Sequence, residues 1–263
     1  MFNHRTISQE SYNVQDDNND LWDYDGHGTH VAGIVAQLTP ANVELLILRV
    51  FDENRKATKL TIANGLARAI QADAAVINMS LGIENAAALT LTYWNEEIAT
   101  AYAKDIVVCC AAGNAAEDVS CCYPACLNKT VAVTAMNTNG TFAGNSRIAG
   151  SNFGSALDFI APGVNIYSAG RRFDETDIDY SKISKKTGTS MAAPHMSAAF
   201  ALIRMIKPDA KFDKLYQTAC LYCTDLGEPG KDDYYGNGCP RFDSLFSVEL
   251  EYNTVAYEWT PME

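Results

Sequence analysis

The sequence contains no apolar stretch near the ~18–20 residues that a helix needs to span a bilayer. No such span is therefore expected. Its first twenty residues, MFNHRTISQESYNVQDDNND, lack the apolar centre that a secretion signal carries. Positive charge is scarce as well: 20 Lys and Arg stand against 32 Asp and Glu, a net charge of −12. That imbalance argues against nucleic acid and anionic membranes as partners. Internal repeats, low-complexity tracts and linkers are also missing, so residues 1–263 read as one domain. Histidine is rare, with only His4, His27, His30 and His195. Neither His-Glu-x-x-His nor Gly-x-Ser-x-Gly occurs, so the zinc and hydrolase chemistries tied to those patterns have no foothold.

What remains is the profile of a folded chain. Of 263 residues 48% are hydrophobic and 20% charged, enough to build a substantial core. The eight cysteines form no clear framework. Cys109 and Cys110 are adjacent in the apolar run DIVVCCAAGN, and strand neighbours point to opposite faces, so they read as two packed thiols. Cys121, Cys122 and Cys126 cluster in a loop, and Cys220, Cys223 and Cys239 lie near the end. Cys220-x-x-Cys223 lacks a fourth zinc ligand at a matching spacing. The pairing of these loop and C-terminal cysteines is left open.

Strand-like and helix-like segments alternate. Residues 43–51, 74–82, 105–114 and 129–136 read as strands, and 58–72 and 86–103 as helices. The helix at 58–72 has apolar residues at Leu60, Ile62, Ala63, Leu66, Ala67 and Ile70. This order predicts an α/β fold, a mostly parallel sheet flanked by helices on both faces. In such sheets, sites collect at the C-terminal ends of strands. Residues 171–185 are polar and read as a surface loop leading to Ser190.

Ser190 stands between a Gly-Thr turn and the apolar run of KKTGTSMAAPHMSAAFALIRMI. One reading makes it a helix N-cap, with Pro194 tolerated in the first turn. The other makes it a nucleophile, which needs a base and donors for an oxyanion. His27, bracketed by Gly26 and Gly28 at a predicted helix start, can supply the base. Asn114, in AAGN at the end of a strand, can supply a side-chain amide donor. His195 follows Ser190 on the same helix and points elsewhere. Convergence of Asp25, His27 and His30 on a metal lacks an established pattern, so no metal site is predicted. Asp16-x-Asn18-x-Asp20 has a calcium-loop spacing without the required glycine and glutamate.

DGHGTHVAGIVA, VINMSLG, CAAGN, SNFGSALDFIAPGVNIYS and GTSMAAPH, in that order, resemble the signature blocks of the subtilisin-like serine peptidases. The resemblance runs from about residue 20 to about residue 247. It implies a parallel-sheet α/β fold and endopeptidase activity through an acyl-enzyme on Ser190. His27 is then the general base, and Asn114 with the Ser190 backbone N–H forms the oxyanion hole. A peptide substrate adds as a strand beside Ser80, Leu81 and Gly82 and beside Lys56, Ala57 and Thr58. Ala111, Ala112 and Gly113 line the pocket for the residue before the cut, with Cys122 near its floor. No acidic residue obviously enters that pocket, which points to an apolar or broad preference. No cofactor is expected, and structural calcium is left open with no ligands named. Members of the family are mostly exported, although these residues show no leader.

One departure stands out. The family places a triad Asp in an Asp-Thr/Ser-Gly turn before the histidine, and no such motif is present. The expectation is a domain lacking its first catalytic strand, as an N-terminally incomplete peptidase. The alternative is a pseudopeptidase that binds peptides without cleaving them.

Overall fold

The computed structural model describes residues 5–84, 91–144, 150–170 and 183–245. Four parallel strands form the central sheet in the order β3 (Val76–Met79), β5 (Val107–Ala111), β7 (Val131–Met136) and β8 (Phe159–Pro162). A separate parallel pair joins β1 (Tyr12–Asn13) to β2 (Leu48–Arg49). Short antiparallel pairs join β4 (Ile83–Glu84) to β6 (Cys122–Tyr123), β9 (Ile166–Ala169) to β10 (Ile183–Lys186), and β11 (Cys223–Thr224) to β12 (Cys239–Pro240). The helices are α1 (His27–Leu38), α2 (Lys59–Gln71), α3 (Asn95–Ala103), α4 (Thr189–Ile206) and α5 (Phe212–Leu221).

Alternation along β5 divides the core. Cys109 and Ala111 face a cluster with Met196, Phe200 and Ile203 of α4 and Leu215 of α5. Cys110 and Val108 face the other cluster, with Leu66 and Ile70 of α2 and Ile98 of α3. The two adjacent thiols therefore lie on opposite faces, as strand geometry requires. Burial pushes the Cys109 thiol up to about 12 and Cys110 well above its ordinary value. Both behave as small apolar groups. The sheet is thus covered on both sides, which explains why every residue of β5 is buried. Each large side chain fully withdrawn from water, such as Phe200 or Ile98, stabilises the fold by roughly 1.5–3 kcal/mol.

Three segments differ from their sequence-based expectations. Residues 43–51 contain only a two-residue strand, half-buried at Leu48–Arg49. The Ser11 hydroxyl accepts from the Ile47 N–H at 3.0 Å and interrupts the ladder there. The helix expected at 86–103 begins at Asn95. The Trp94 N–H is taken by the Tyr123 hydroxyl at 2.8 Å, so the chain turns before it coils; residues 85–90 lie outside the described residues. Of the expected loop at 171–185, residues 183–185 belong to β10, while 171–182 lie outside the described residues.

Helix α1 lies against both α4 and β9. Its approach to β9 is set by Gly33: a Cβ there would stand 2.3 Å from Ser168 Oγ and 2.9 Å from the Ala169 nitrogen. In the same contact Ser168 Oγ donates to the His30 carbonyl at 2.7 Å. Gly33→Ala should therefore destabilise the protein by about 1–3 kcal/mol, despite alanine's better helix propensity. Urea unfolding of the variant checks this, and an unchanged midpoint would mean that the contact yields freely.

Candidate active site

Ser190 is not the cap of α4. Gly188 is, with φ 148°, and Ser190 is the second residue of the helix. A Cβ at position 188 would come within 3.2 Å of Asn114 Oδ1, so glycine answers both the backbone angle and the close approach. The capping role falls to a neighbour in space. Asn114 Oδ1 accepts from the Thr189 N–H at 2.9 Å and from Thr189 Oγ1 at 3.2 Å. Thr189 Oγ1 accepts in turn from the Gly113 N–H at 3.2 Å. Its oxygen is thus committed to the helix end, and the amide Nδ2 is the remaining polar group of the side chain. Neither this Nδ2 nor the Ser190 N–H is bonded among the described residues.

Pro194 sits in the second turn of α4, not the first as the sequence suggested. A proline has no N–H, so it cannot bond to the carbonyl four residues before it, that of Ser190. The Ser80 hydroxyl fills the gap and donates to that carbonyl at 2.7 Å. Reciprocally, Ser190 Oγ donates to the Ser80 carbonyl at 3.2 Å. Ser80 is fixed by Asn78, whose Nδ2 donates to Ser80 Oγ at 2.9 Å, and Ser197 Oγ donates to Asn78 Oδ1 at 2.9 Å. This chain of polar groups ties the C-terminal end of β3 to the first three turns of α4.

His27 opens α1 after Gly26, whose φ of 79° reverses the chain. Asp23 organises the approach, with Oδ2 accepting from the Thr29 N–H and hydroxyl, each at 2.7 Å, and Oδ1 accepting from the Gly26 N–H at 2.8 Å. Asp25 pairs with Arg55. Neither carboxylate is hydrogen-bonded to the His27 ring. Burial, with smaller contributions from Lys186 and Arg55, pushes His27 below its ordinary value, while Asp25 and Asp23 oppose that shift. His27 is therefore neutral at pH 7, the form that can accept a proton.

His30 and His195 have structural posts. His30 is fully buried, its Nε2 donating between the Ile166 and Ser184 carbonyls at 3.1 and 3.2 Å. His195 Nδ1 donates to the Met191 carbonyl at 2.8 Å, and burial lowers it to about 4. With His30 turned to carbonyls and Asp25 to Arg55, these residues do not converge with His27. Asp16 is engaged by Arg49 at 3.2 Å and by Asn13 at 3.1 Å.

The expected substrate-binding residues fall into two groups. Ser80, Leu81 and Gly82 follow β3, while Ala111 ends β5 and Ala112 and Gly113 follow it, so both run beside Ser190 and Asn114. Lys56 and Ala57 lie in the loop before α2, where Asp52 Oδ1 accepts from the Lys56 N–H at 2.8 Å. The Arg55–Asp25 pair draws that loop toward His27. Two contributors were missed in the sequence. Asn152 shapes the turn after β5: its Nδ2 donates to the Ala112 carbonyl at 2.9 Å, and its Oδ1 accepts from the N–H groups of Ala115 and Glu117 at 3.0 and 3.1 Å. Glu84 reaches from β4 to accept from the Asn114 N–H. The SNFG block signalled the first, while nothing local signalled the second.

Removing the Ser80 hydroxyl in Ser80→Ala should cost about 1–3 kcal/mol, because the Ser190 carbonyl loses the donor that replaces the missing proline amide. Thermal unfolding beside the wild type measures it, and a neutral result would show that water substitutes. His27 should titrate below pH 6.5, since both burial and nearby cations disfavour its charged form. NMR titration of the ring protons would show this; a midpoint above 6.5 would reveal a carboxylate bonded to the ring.

Comparison with known proteins identifies the family of the chain. Residues 3–238 match the subtilase family. Subtilisin DY of Bacillus licheniformis is 34% identical over 243 residues, spanning 88% of this chain and 78% of that protein. The major intracellular serine protease of Bacillus subtilis (strain 168) is 33% identical over 212 residues, 74% of this chain and 60% of that protein. Among solved structures, a cold-adapted subtilisin-like serine proteinase superposes with a TM-score of 0.70 at 26% identity, covering 90% of this chain and 79% of that one. With the family match spanning most of its length, the chain belongs to the subtilase family of serine proteases.

Proposed function

We propose that this chain hydrolyses peptide bonds through an acyl-enzyme on Ser190, with His27 as general base and Asn114 as oxyanion donor. The observation that carries the reading is the division of labour in Asn114. Its oxygen is fixed by Thr189, while among the described residues neither its amide nor the Ser190 N–H has a partner. Two uncommitted donors next to a hydroxyl are what a developing oxyanion requires.

In the resting arrangement Ser190 Oγ donates to the Ser80 carbonyl, so the hydroxyl rotates toward His27 when it reacts. The oxygen attacks the substrate carbonyl while neutral His27 takes its proton. The tetrahedral oxyanion receives the Asn114 and Ser190 donors, and the N-terminus of α4 adds its partial positive charge. His27 then protonates the departing amine, and water, activated by the same histidine, releases the acid. The peptide pairs as a strand with Ser80–Gly82 and with the loop at residues 56–58. The side chain before the cut lies between residues 80–82 and 111–113. Substrates are proteins or peptides. Because one relative is named an intracellular protease, the family does not itself fix the compartment.

A second reading rests on His27. Neither Asp23 nor Asp25 bonds its ring, so among the described residues no carboxylate holds its tautomer. In subtilisin itself, the source of this figure, losing the triad Asp alone lowers turnover about 3 × 10⁴-fold. A protein that bound peptides with little turnover would fit that arrangement.

A fluorophosphonate probe should label wild-type protein and leave Ser190→Ala unlabelled. In cleavage assays Asn114→Ala should lower kcat about 10²–10³-fold with little change in KM. Folded protein that binds peptide yet takes up no probe would establish the binding-only reading.

A further inference from the structure

We propose that this protein accepts only glycine, alanine or a side chain of similar size in the residue before the cut, because Cys122 fills the space that a larger one needs; this rests on the reading of Ser190 as nucleophile. A peptide whose scissile carbonyl lies against Ser190 and Asn114 sends that side chain between residues 80–82 and 111–113. The protein itself occupies the strip between these segments. A Cβ at Gly82 would stand 3.0 Å from the Tyr123 carbonyl oxygen and 3.3 Å from Cys122 Sγ. On the facing segment, a Cβ at Gly113 would stand 2.4 Å from Asn152 Nδ2, 2.8 Å from Glu84 Oε1 and 3.1 Å from the same sulfur. That sulfur also donates to the Ala111 carbonyl at 3.8 Å. One atom therefore reaches from one segment to the other, and even a methyl group on either glycine would be crowded.

The filling is fixed in place. Cys122 is buried, and its pairing through β6 with β4 sets it opposite Glu84. Tyr123, next in the chain, is buried as well. Its hydroxyl accepts from the Trp94 N–H at 2.8 Å and donates to Asn95 Oδ1 at 2.9 Å, and its ring centre lies 5.2 Å from that of Trp94. β6 cannot withdraw without breaking this cluster. Asn152 is held by its three bonds to Ala112, Ala115 and Glu117. Burial, and next the charge of Glu84, push the Cys122 thiol up to about 12, so it stays neutral and packs as a small apolar group. Glu84 is the exposed member of the group, and its carboxylate accepts from the Asn114 N–H.

A leucine or phenylalanine side chain ordinarily gains by leaving water. Here it finds no void to enter, and forcing it in would displace packed groups, which is destabilising. Alanine needs no more room than the strip provides, and glycine needs none. The selection is thus made by exclusion, in contrast to the broad apolar preference expected from the sequence.

The test uses the full chain and three tetrapeptide acids that differ only at the C-terminal residue: alanine, leucine or phenylalanine. Calorimetry should find the alanine peptide bound about ten- to a hundredfold more tightly than the other two. In Cys122→Ala, which removes only the sulfur, the penalty on leucine should shrink about fivefold or more. Leucine or phenylalanine binding as tightly as alanine in the wild type, or no binding of any peptide, would overturn the assignment. So would a penalty on leucine that survives unchanged in folded Cys122→Ala, which would place the barrier elsewhere. If that variant does not fold, the wild-type ranking decides. Fluorophosphonate labelling run in parallel reports on Ser190 separately. Alanine preference without labelling would sink the nucleophile reading, and labelling without the preference would sink the role of Cys122.

Discussion

One missing hydrogen shapes the centre of this protein. Pro194 deprives α4 of an amide, and the Ser190 carbonyl must look outside its own helix for a donor. The Ser80 hydroxyl supplies it, so the end of β3 is bound to the start of α4 by a contact that neither element could make alone. Asn78 and Ser197 hold Ser80 in place, and Gly188 and Asn114 hold the helix start from the other side. A serine hydroxyl near a helix mouth is common. Here its backbone is fixed by a strand end on one flank and an asparagine on the other, and its hydroxyl rests on the Ser80 carbonyl.

The sheet makes this local order possible. β5 is buried along its whole length because helices cover both of its faces, and its last residues deliver Gly113 and Asn114 to the same edge that β3 reaches with Ser80. α4 packs along that sheet with an almost wholly apolar surface, so its N-terminus cannot shift without disturbing Phe200, Met196 and Ile203. The large core thus serves the small site by immobilising its frame. His27 arrives separately, on α1, which is locked by Gly33 and His30 against β9 and β10.

Much of the architecture was legible in the sequence, since period-two and period-3.6 patterns locate β3, β5, β7 and α2 to within a few residues. The ends were harder. A serine beside a Gly-Thr pair looks like a cap, and only the backbone angle of Gly188 shows that the cap lies two residues earlier. Likewise, α3 starts late because of a bond from Trp94 to Tyr123, a partner distant in sequence. His27, Asn114 and Ser190 stood out because each sits at an element end within a motif. Glu84, Asn152 and the Ser80 hydroxyl did not, because their roles exist only after β4 meets β6 and β3 meets α4. Periodicity reports which side of an element faces the core. It carries no information about which remote atom a side chain will touch.

The paired thiols at the centre of β5 have a use of their own. Cys109 and Cys110 are sealed on opposite faces of the sheet and held protonated by burial. An alkylating reagent attacks the thiolate, so neither sulfur reacts while the sheet is closed. Their modification then counts openings of the central sheet, one face for each residue. Adjacent positions in the chain become two independent clocks, and any difference between them would tell which layer of helices departs first.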